Sequence, residues 1–546
     1  MTSRQPPRRI GLRGLCALLS LWPLLGGCGG GLPDASEGVE EGILLLGNGA
    51  EPKTLDPQRA TGVTENKIIS SLIEGLIAYH PSDANVPEPG VAASWDSSDN
   101  HAVWTFRLRE DARWSNGDPV TAGDFKYSYK RMLHPSFPGE YSQMLYVLEN
   151  AEAYKTGQLE DFSKVGIEVV DGKTLRFRLV GPTPHFLSML KHYSWFPVHP
   201  DTIEANGGLL DMSGDWTLPE NFIGNGAYVL SEWRPNQYIR VTESPTYWDR
   251  ERLRIHEIYF FPIVDVNTEK RMFDSGLLHV TSTVPTNEIP VLREERPDLI
   301  NIDDYLGTYF YRMNVTREPL GDPRVRRALA LAIDRRAIVE RVALGEQKPA
   351  TAYVPPGFSG YRSPQSLRHD PGKARELLAE AGYPDGEGFP ELYVLFNTSE
   401  GHRKIAESIV AMWNEALGIS MQLENKEWKV YLDAQSHLDY DISRSGWIGD
   451  YMDPVTFLEM FTTGNGNNDT GWSNERYDEL IAKAFRSRNQ DEHFRHLREA
   501  EELLLKELPV VPLYWYTRIY LKDPRLQNWN PKRLDNRPYK YLYFAD

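Results

Sequence analysis

From residue 43 to residue 521 the chain switches between two hydrophobic periods, and no block recurs at a fixed interval. A two-residue alternation puts successive side chains on opposite faces of a strand, whereas a 3.6-residue period gathers them on one face of a helix. The alternating type appears at 103–108 (VWTFRL) and across 167–179 (IEVVDGKTLRFRL), the latter broken by Asp171-Gly172. Asp-Gly between two such runs is a strong hairpin signal. The helical type appears at 370–381, 402–417 and in one long stretch at 474–508, followed at once by the aromatic strand 510–521 (VVPLYWYTRIYL). Mixed elements without repeats predict an α/β protein of several lobes. The 546 residues fit three or four domains at about 150 residues each.

The N-terminus reads as an export signal. Arg4, Arg8, Arg9 and Arg13 precede the leucine-rich run 14–27, which falls short of the roughly 20 apolar residues a membrane-spanning helix needs. The run ends in Leu25-Gly26-Gly27-Cys28. Cys16 and Cys28 are the only cysteines, so cleavage before Cys28 would leave a mature chain with no disulfide and no thiolate ligand set. Residues 29–42 are small, acidic and aperiodic, and they predict a flexible tether with the fold starting near Ile43. The net charge of −17 repels phosphate backbones, so nucleic acid is not an expected partner.

Several strings imitate catalytic motifs. Ser98-Asp99-Asn100, Lys155-Thr156-Gly157 and Ser188-Met189-Leu190-Lys191 resemble elements of serine β-lactamases, but there the SxxK element precedes the others and here it comes last. Gly172-Lys173-Thr174 mimics the end of a P-loop, yet the required upstream glycine is Ile167. His493 and His496, three apart among Arg and Glu, predict a solvated helix face, and 465–471 (NGNNDTG) lacks the glycine at the sixth position of a calcium loop. HExxH, CxxC and GxSxG are absent. No catalytic constellation, metal site or cofactor is expected.

Four ordered segments carry a family resemblance: 51–57 (EPKTLDP) with 72–77 (LIEGLI); 108–133 (LREDARWSNGDPVTAGDFKYSYKRML); Gly307 through Asp322-Pro323-Arg324-Val325-Arg326 to Ala332-Ile333-Asp334-Arg335; and 441–454 (DISRSGWIGDYMDP). In the second, Thr121 and Asp124 form a capping-box helix start. Together these resemble the periplasmic oligopeptide-binding proteins of ABC importers, within extracellular solute-binding family 5, and Leu25–Cys28 resembles the lipobox of its lipoprotein forms. The resemblance implies a two-lobed periplasmic-binding-protein fold of three domains, the large peptide/nickel-binding type. Domain I would be discontinuous, at 43–75, 200–302 and 518–546, with domain II at 76–199 and domain III at 303–517. It also implies short peptides as ligands, a permease and ATPase complex as partner, a monomer, and attachment to the periplasmic or cell-surface side of a membrane through a lipid on Cys28.

A peptide is a demanding ligand, because both ends are charged and every buried amide needs a partner. Strand addition with charged residues at the ends meets both needs without reading side chains. By resemblance, Asp450 meets the α-amino group, Trp447 walls a side-chain pocket, Gly446 and Ile448 offer backbone partners, and Tyr141 lies beside the ligand backbone. Two cations, Arg444 and His402, match positions that meet the C-terminal carboxylate. Relatives can carry an acid just after the LDP element, where this chain has Thr61. The same architecture also binds dipeptides, murein peptides, nickel complexes, opines or oligosaccharides in relatives, and a more remote alternative is a lipid-anchored hydrolase using Ser188 and Lys191.

Overall fold

A computed structural model describes residues 32–83 and 85–545; the leader and Cys28 lie outside the described residues. From Asp34 onward the chain forms one compact unit.

Three sheets dominate. The first holds Ile43–Gly47, Glu257–Phe261, Tyr238–Glu243 and Tyr228–Arg234 side by side, with Ile43–Gly47 parallel to Glu257–Phe261. The second is antiparallel, in the order Ala92–Ser97, Val103–Leu108, Thr174–Arg178, Ile167–Asp171, and its last two strands are the expected Asp171-Gly172 hairpin. The third has six strands, in the order Lys348–Pro349, Val510–Leu521, Ile300–Met313, Ile442–Ile448, Leu392–Asn397, Met421–Lys426. Val510–Leu521 is apolar almost throughout because this interior strand has two faces to bury. Pro512 cannot donate to the ladder, and the pairing with Ile300–Met313 slips beside it, between Tyr309 and Phe310. A second slip separates the pairs Asp304↔Thr517 and Thr308↔Trp515. These two long strands run side by side through both positions where domain I was expected to meet domain III.

Helix Ala122–Leu133 starts as expected: Thr121 caps the Asp124 amide and the Asp124 carboxylate returns to the Thr121 amide. Its inner face, Ala122, Phe125, Ser128, Tyr129, Met132 and Leu133, follows the helical period and is buried. The same face carries Arg131 onto Asp56, with Nη2–Oδ2 at 2.7 Å and Nη1–Oδ1 at 3.2 Å, both side chains 1% exposed. That pair ties the LDP element to the most distinctive of the four sequence segments.

Three expectations need correction. The tether expected to reach Gly42 stops earlier, because Ala35–Glu41 is a helix capped by Asp34 and closed by Gly42 at φ 70°. His279 Nδ1 accepts from the Leu45 amide (3.0 Å), leaving Nε2 to donate to the Ala35 carbonyl (3.0 Å), so tertiary contacts hold a helix too short to show a period. The single helix expected over 474–508 is two, Glu475–Phe485 and Gln490–Glu507, the second capped by Asn489. His493 and His496 are buried between these helices rather than solvated. Among the described residues no helix is long and apolar enough to cross a membrane, and no cluster of three or more His, Cys, Asp or Glu forms a metal site.

Candidate ligand-binding site

The strand Ile442–Ile448 pairs on one side with Ile300–Met313 from Ile442 to Ile448. On the other side it pairs with Leu392–Asn397 only at Ile442 and Ser443. Among the described residues no strand pairs with that second edge beyond Ser443, and the segment lies in the wall of a cavity of about 480 Å³, a volume suited to a small ligand. Tyr141, His402, Arg444, Gly446, Trp447, Ile448 and Asp450 all line this cavity, as does Thr61. Residues from four distant stretches of sequence are thus brought to one place.

Asp450 is separated from the end of the strand by one residue, Gly449. Thr456 fixes it twice, accepting from its amide at 2.9 Å and donating to Oδ2 at 3.3 Å. Oδ1 receives the Tyr141 hydroxyl at 3.5 Å and faces His192 Nε2 at 3.4 Å. The Ser194 amide donates to His192 Nδ1 at 3.3 Å, so the ring proton sits on Nε2 and points at Asp450. Burial pushes the His192 imidazole down to about 3, which keeps it neutral. Burial first, then the charge of Glu459, pushes the Asp450 carboxyl well above its ordinary range. Asp450 thus has hydrogen-bond donors but no resident counter-ion among the described residues, and its environment favours the protonated form until a cation meets it. Asp450 does not cap the helix Val455–Leu458; Asp453 accepts from the Val455 amide instead.

Trp447 donates Nε1 to the Thr456 carbonyl at 2.8 Å, and its ring lies 6.0 Å from that of Tyr141. Gly446 permits a close approach: a Cβ there would lie 2.5 Å from the Tyr516 hydroxyl oxygen. That hydroxyl accepts from Arg444 Nη2 at 2.9 Å, while Nη1 reaches Asn397 Oδ1 at 3.1 Å and the guanidinium stands 4.8 Å above the Tyr309 ring. Arg444 Nε is buried without a partner, and among the described residues no carboxylate forms an ion pair with this arginine. His402, in the first turn of Glu400–Leu417, meets the Tyr309 hydroxyl at 3.3 Å. It was expected as a second cation, but burial and then Arg444 hold its pKa well below the usual value. It serves here as a neutral polar group beside Arg444.

Sequence reasoning missed His192 and the tyrosine box of Tyr309, Tyr514 and Tyr516. The string LKHYSW around His192 carries no motif. The aromatic strand 510–521 was legible as a strand but not as a cavity wall.

Comparison with known proteins agrees with this geometry. Residues 86–469 match the profile of bacterial extracellular solute-binding proteins, family 5 middle domain. The dipeptide-binding protein DppE of Bacillus subtilis is 34% identical over 91% of both chains. The periplasmic murein peptide-binding protein MppA of Escherichia coli is 35% identical over 88% of both. A solved structure of MppA superposes with a TM-score of 0.87 over 92% of this chain and 98% of its own, whereas its unliganded open form gives 0.62. The Haemophilus influenzae oligopeptide-binding protein OppA, in complex with the peptide RPPGFSPFR, is 30% identical and gives 0.88, covering 93% of this chain and 99% of its own. The sheets and helices described above are thus arranged as in two-lobed periplasmic peptide-binding proteins, and by profile, identity and fold together the chain belongs to the family 5 bacterial extracellular solute-binding proteins.

Proposed function

We propose that this protein is the solute-binding component of an ABC importer, capturing short peptides and delivering them to a membrane permease and its ATPase. One observation carries the reading: a strand edge that no other described strand pairs with from Gly446 to Ile448, the Arg444 carbonyl before it being taken by Tyr431 and Gln435, with an uncompensated carboxylate just beyond one end and an uncompensated guanidinium at the other. A peptide laid along that edge gains backbone partners by strand addition. Its ammonium then meets Asp450 and its carboxylate meets Arg444, which can grip it with two parallel hydrogen bonds. An uncharged sugar would leave both charges buried and unpaired, at a cost of several kcal/mol each. The names of the relatives, which bind dipeptides, murein peptides and oligopeptides, support the same class.

In this reading an open form admits the peptide, and two lobes close over it. The hinge lies where Ile300–Met313 and Val510–Leu521 cross together from the proposed domain I into domain III. The weaker match to the open form of MppA supports closure as the difference between states, and ligand contacts to both lobes would select the closed one. The protein performs no bond chemistry. Of the β-lactamase-like strings, Lys155 Nζ is held by the carbonyls of Met132, His134 and Phe137, and Lys191 Nζ donates to the Val86 carbonyl. We further propose a monomer held at the periplasmic or cell-surface side of a membrane by acyl chains on Cys28, two or more being needed for stable anchoring. Titration calorimetry of the mature chain against tri- and tetrapeptides and an oligosaccharide series tests the function. Saturable heats are expected with peptides only, and binding of a sugar in their place would overturn the reading.

A further inference from the structure

The charged side chains lining the cavity pair off unevenly. Arg518 is bound to Asp535 at 2.8 Å, and Arg537 to Asp535 and Asp303 at 3.2 and 3.3 Å. Lys540 lies 3.5 Å from both Glu74 and Asp249, and Lys191 donates to a carbonyl. Among the described residues Asp450, which faces only the neutral His192 ring, and Arg444 remain without charged partners and suit the two ends of a zwitterion. One cation is then left over. Lys67, on helix Val63–Leu72, lines the same cavity and has neither a hydrogen-bond nor an ion-pair partner among the described residues.

The groups around Lys67 do not neutralise it by contact. Asp535 is shared between two arginines. The Glu269 oxygens are filled by the Ser282 amide and hydroxyl and by the Thr283 amide. Arg518 repels it, and burial together with that repulsion lowers the Lys67 ammonium to about 8, still protonated at neutral pH. Asn66 and Ser70, on the same helix, also line the cavity. Ser70 Oγ donates to Asn66 Oδ1 at 2.8 Å and Asn66 Nδ2 to Asn536 at 3.0 Å, which fixes a polar rim beside the ammonium.

Resting on the peptide reading above, we propose that Lys67 is a third anchoring point, selecting peptides that carry one acidic side chain. The preferred ligand is then a short peptide of net charge −1, its extra carboxylate completing the unpaired ammonium. A buried charge left without its partner costs far more than one that is paired, so the selectivity is directional: acidic side chains gain, and their amide isosteres do not.

The test is calorimetry of the mature chain with tetrapeptides carrying Glu or Gln at the second, third or fourth position, on wild type, Lys67→Met and Lys67→Arg. The expected result is a preference for Glu over Gln of about tenfold or more at one position in wild type. It should be kept in Lys67→Arg and abolished in Lys67→Met, while Gln peptides bind all three proteins alike, which also reports intact folding. Equal binding of Glu and Gln peptides at every position, or a preference surviving in Lys67→Met, would overturn the inference and leave the peptide reading standing. Absence of binding by every peptide to wild type would overturn both.

Discussion

His192 Nε2 stands 3.4 Å from Asp450 Oδ1, and the imidazole that makes this approach is neutral, so the carboxylate meets a dipole where a counter-ion would ordinarily sit. A buried carboxyl whose side-chain partners among the described residues are His192, Tyr141 and Thr456 is held in place but not neutralised. The arrangement leaves the carboxyl available to a cation from outside, whose arrival would favour its ionised form. It also makes ionisation of this carboxyl costly to the fold unless a cation meets it.

Asp450→Asn should therefore separate affinity from stability. Removing one partner of a desolvated pair costs roughly 3–5 kcal/mol, so affinity for free tripeptides should fall by about a hundredfold or more, and N-acetylation of the peptide should cost wild type as much. Stability moves the other way. The folded-state pKa of Asp450 is raised, so its ionisation opposes folding at any pH above its unfolded value of about 3.9. The ligand-free variant should melt about 1–2 °C higher than wild type at pH 7, with the gap closing towards pH 4. Calorimetric melts at both pH values check this; a lower melting temperature at pH 7 would refute it.

Arg444 should set recognition of the other end. Wild type should bind a free-acid tripeptide more tightly than its C-terminal amide by roughly 2 kcal/mol or more, and Arg444→Met should bind both equally. Competition against a fluorescent peptide measures the ratio, and an unchanged ratio in the variant would assign the carboxylate to another group.

Arg131→Met should be damaging far from any ligand. It leaves Asp56 buried without its cation, a loss of roughly 3–5 kcal/mol, visible as a lower denaturation midpoint in urea with peptide affinity per folded molecule unchanged. A midpoint within error of wild type would show that the pair contributes little.

His493 makes stability depend on pH. Burial opposes its charge, but the Asp453 carboxylate at 2.9 Å outweighs burial and raises the pKa. A raised histidine contributes fully below its unfolded value of about 6.5 and loses that contribution as pH rises through the folded value. Burial likewise opposes the Asp453 charge, and His185 and His493 outweigh it, so this lowered carboxyl loses its contribution only as pH falls below the ordinary range. The destabilisation caused by His493→Gln should be about 1 kcal/mol larger at pH 5.5 than at pH 8. Denaturant titrations at the two pH values measure the difference, and equal losses would mean the ring is neutral at both.

The parts of the fold that local chemistry decides were open to reading in advance. The Asp171-Gly172 hairpin, the Thr121/Asp124 helix start and the 510–521 strand each declare themselves within a dozen residues. Where packing decides, local reading failed. Helix Ala35–Glu41 exists because His279 and Gly276 hold it, and the burial of His493 answers to Asp453, forty positions away.

The site divides along the same line. The residue types at 402, 444 to 450 and 141 stand out in the linear chain because their order and spacing carry the family resemblance. Their protonation, their partners and their gathering around one cavity do not, since a pKa depends on solvent access and on charges that only the folded chain brings near. His402 was expected as a cation and is a neutral ring because Arg444 and burial share its space. Lys67 drew no notice as one lysine in a helix; only with every other charge in the cavity accounted for does its lack of a partner become visible.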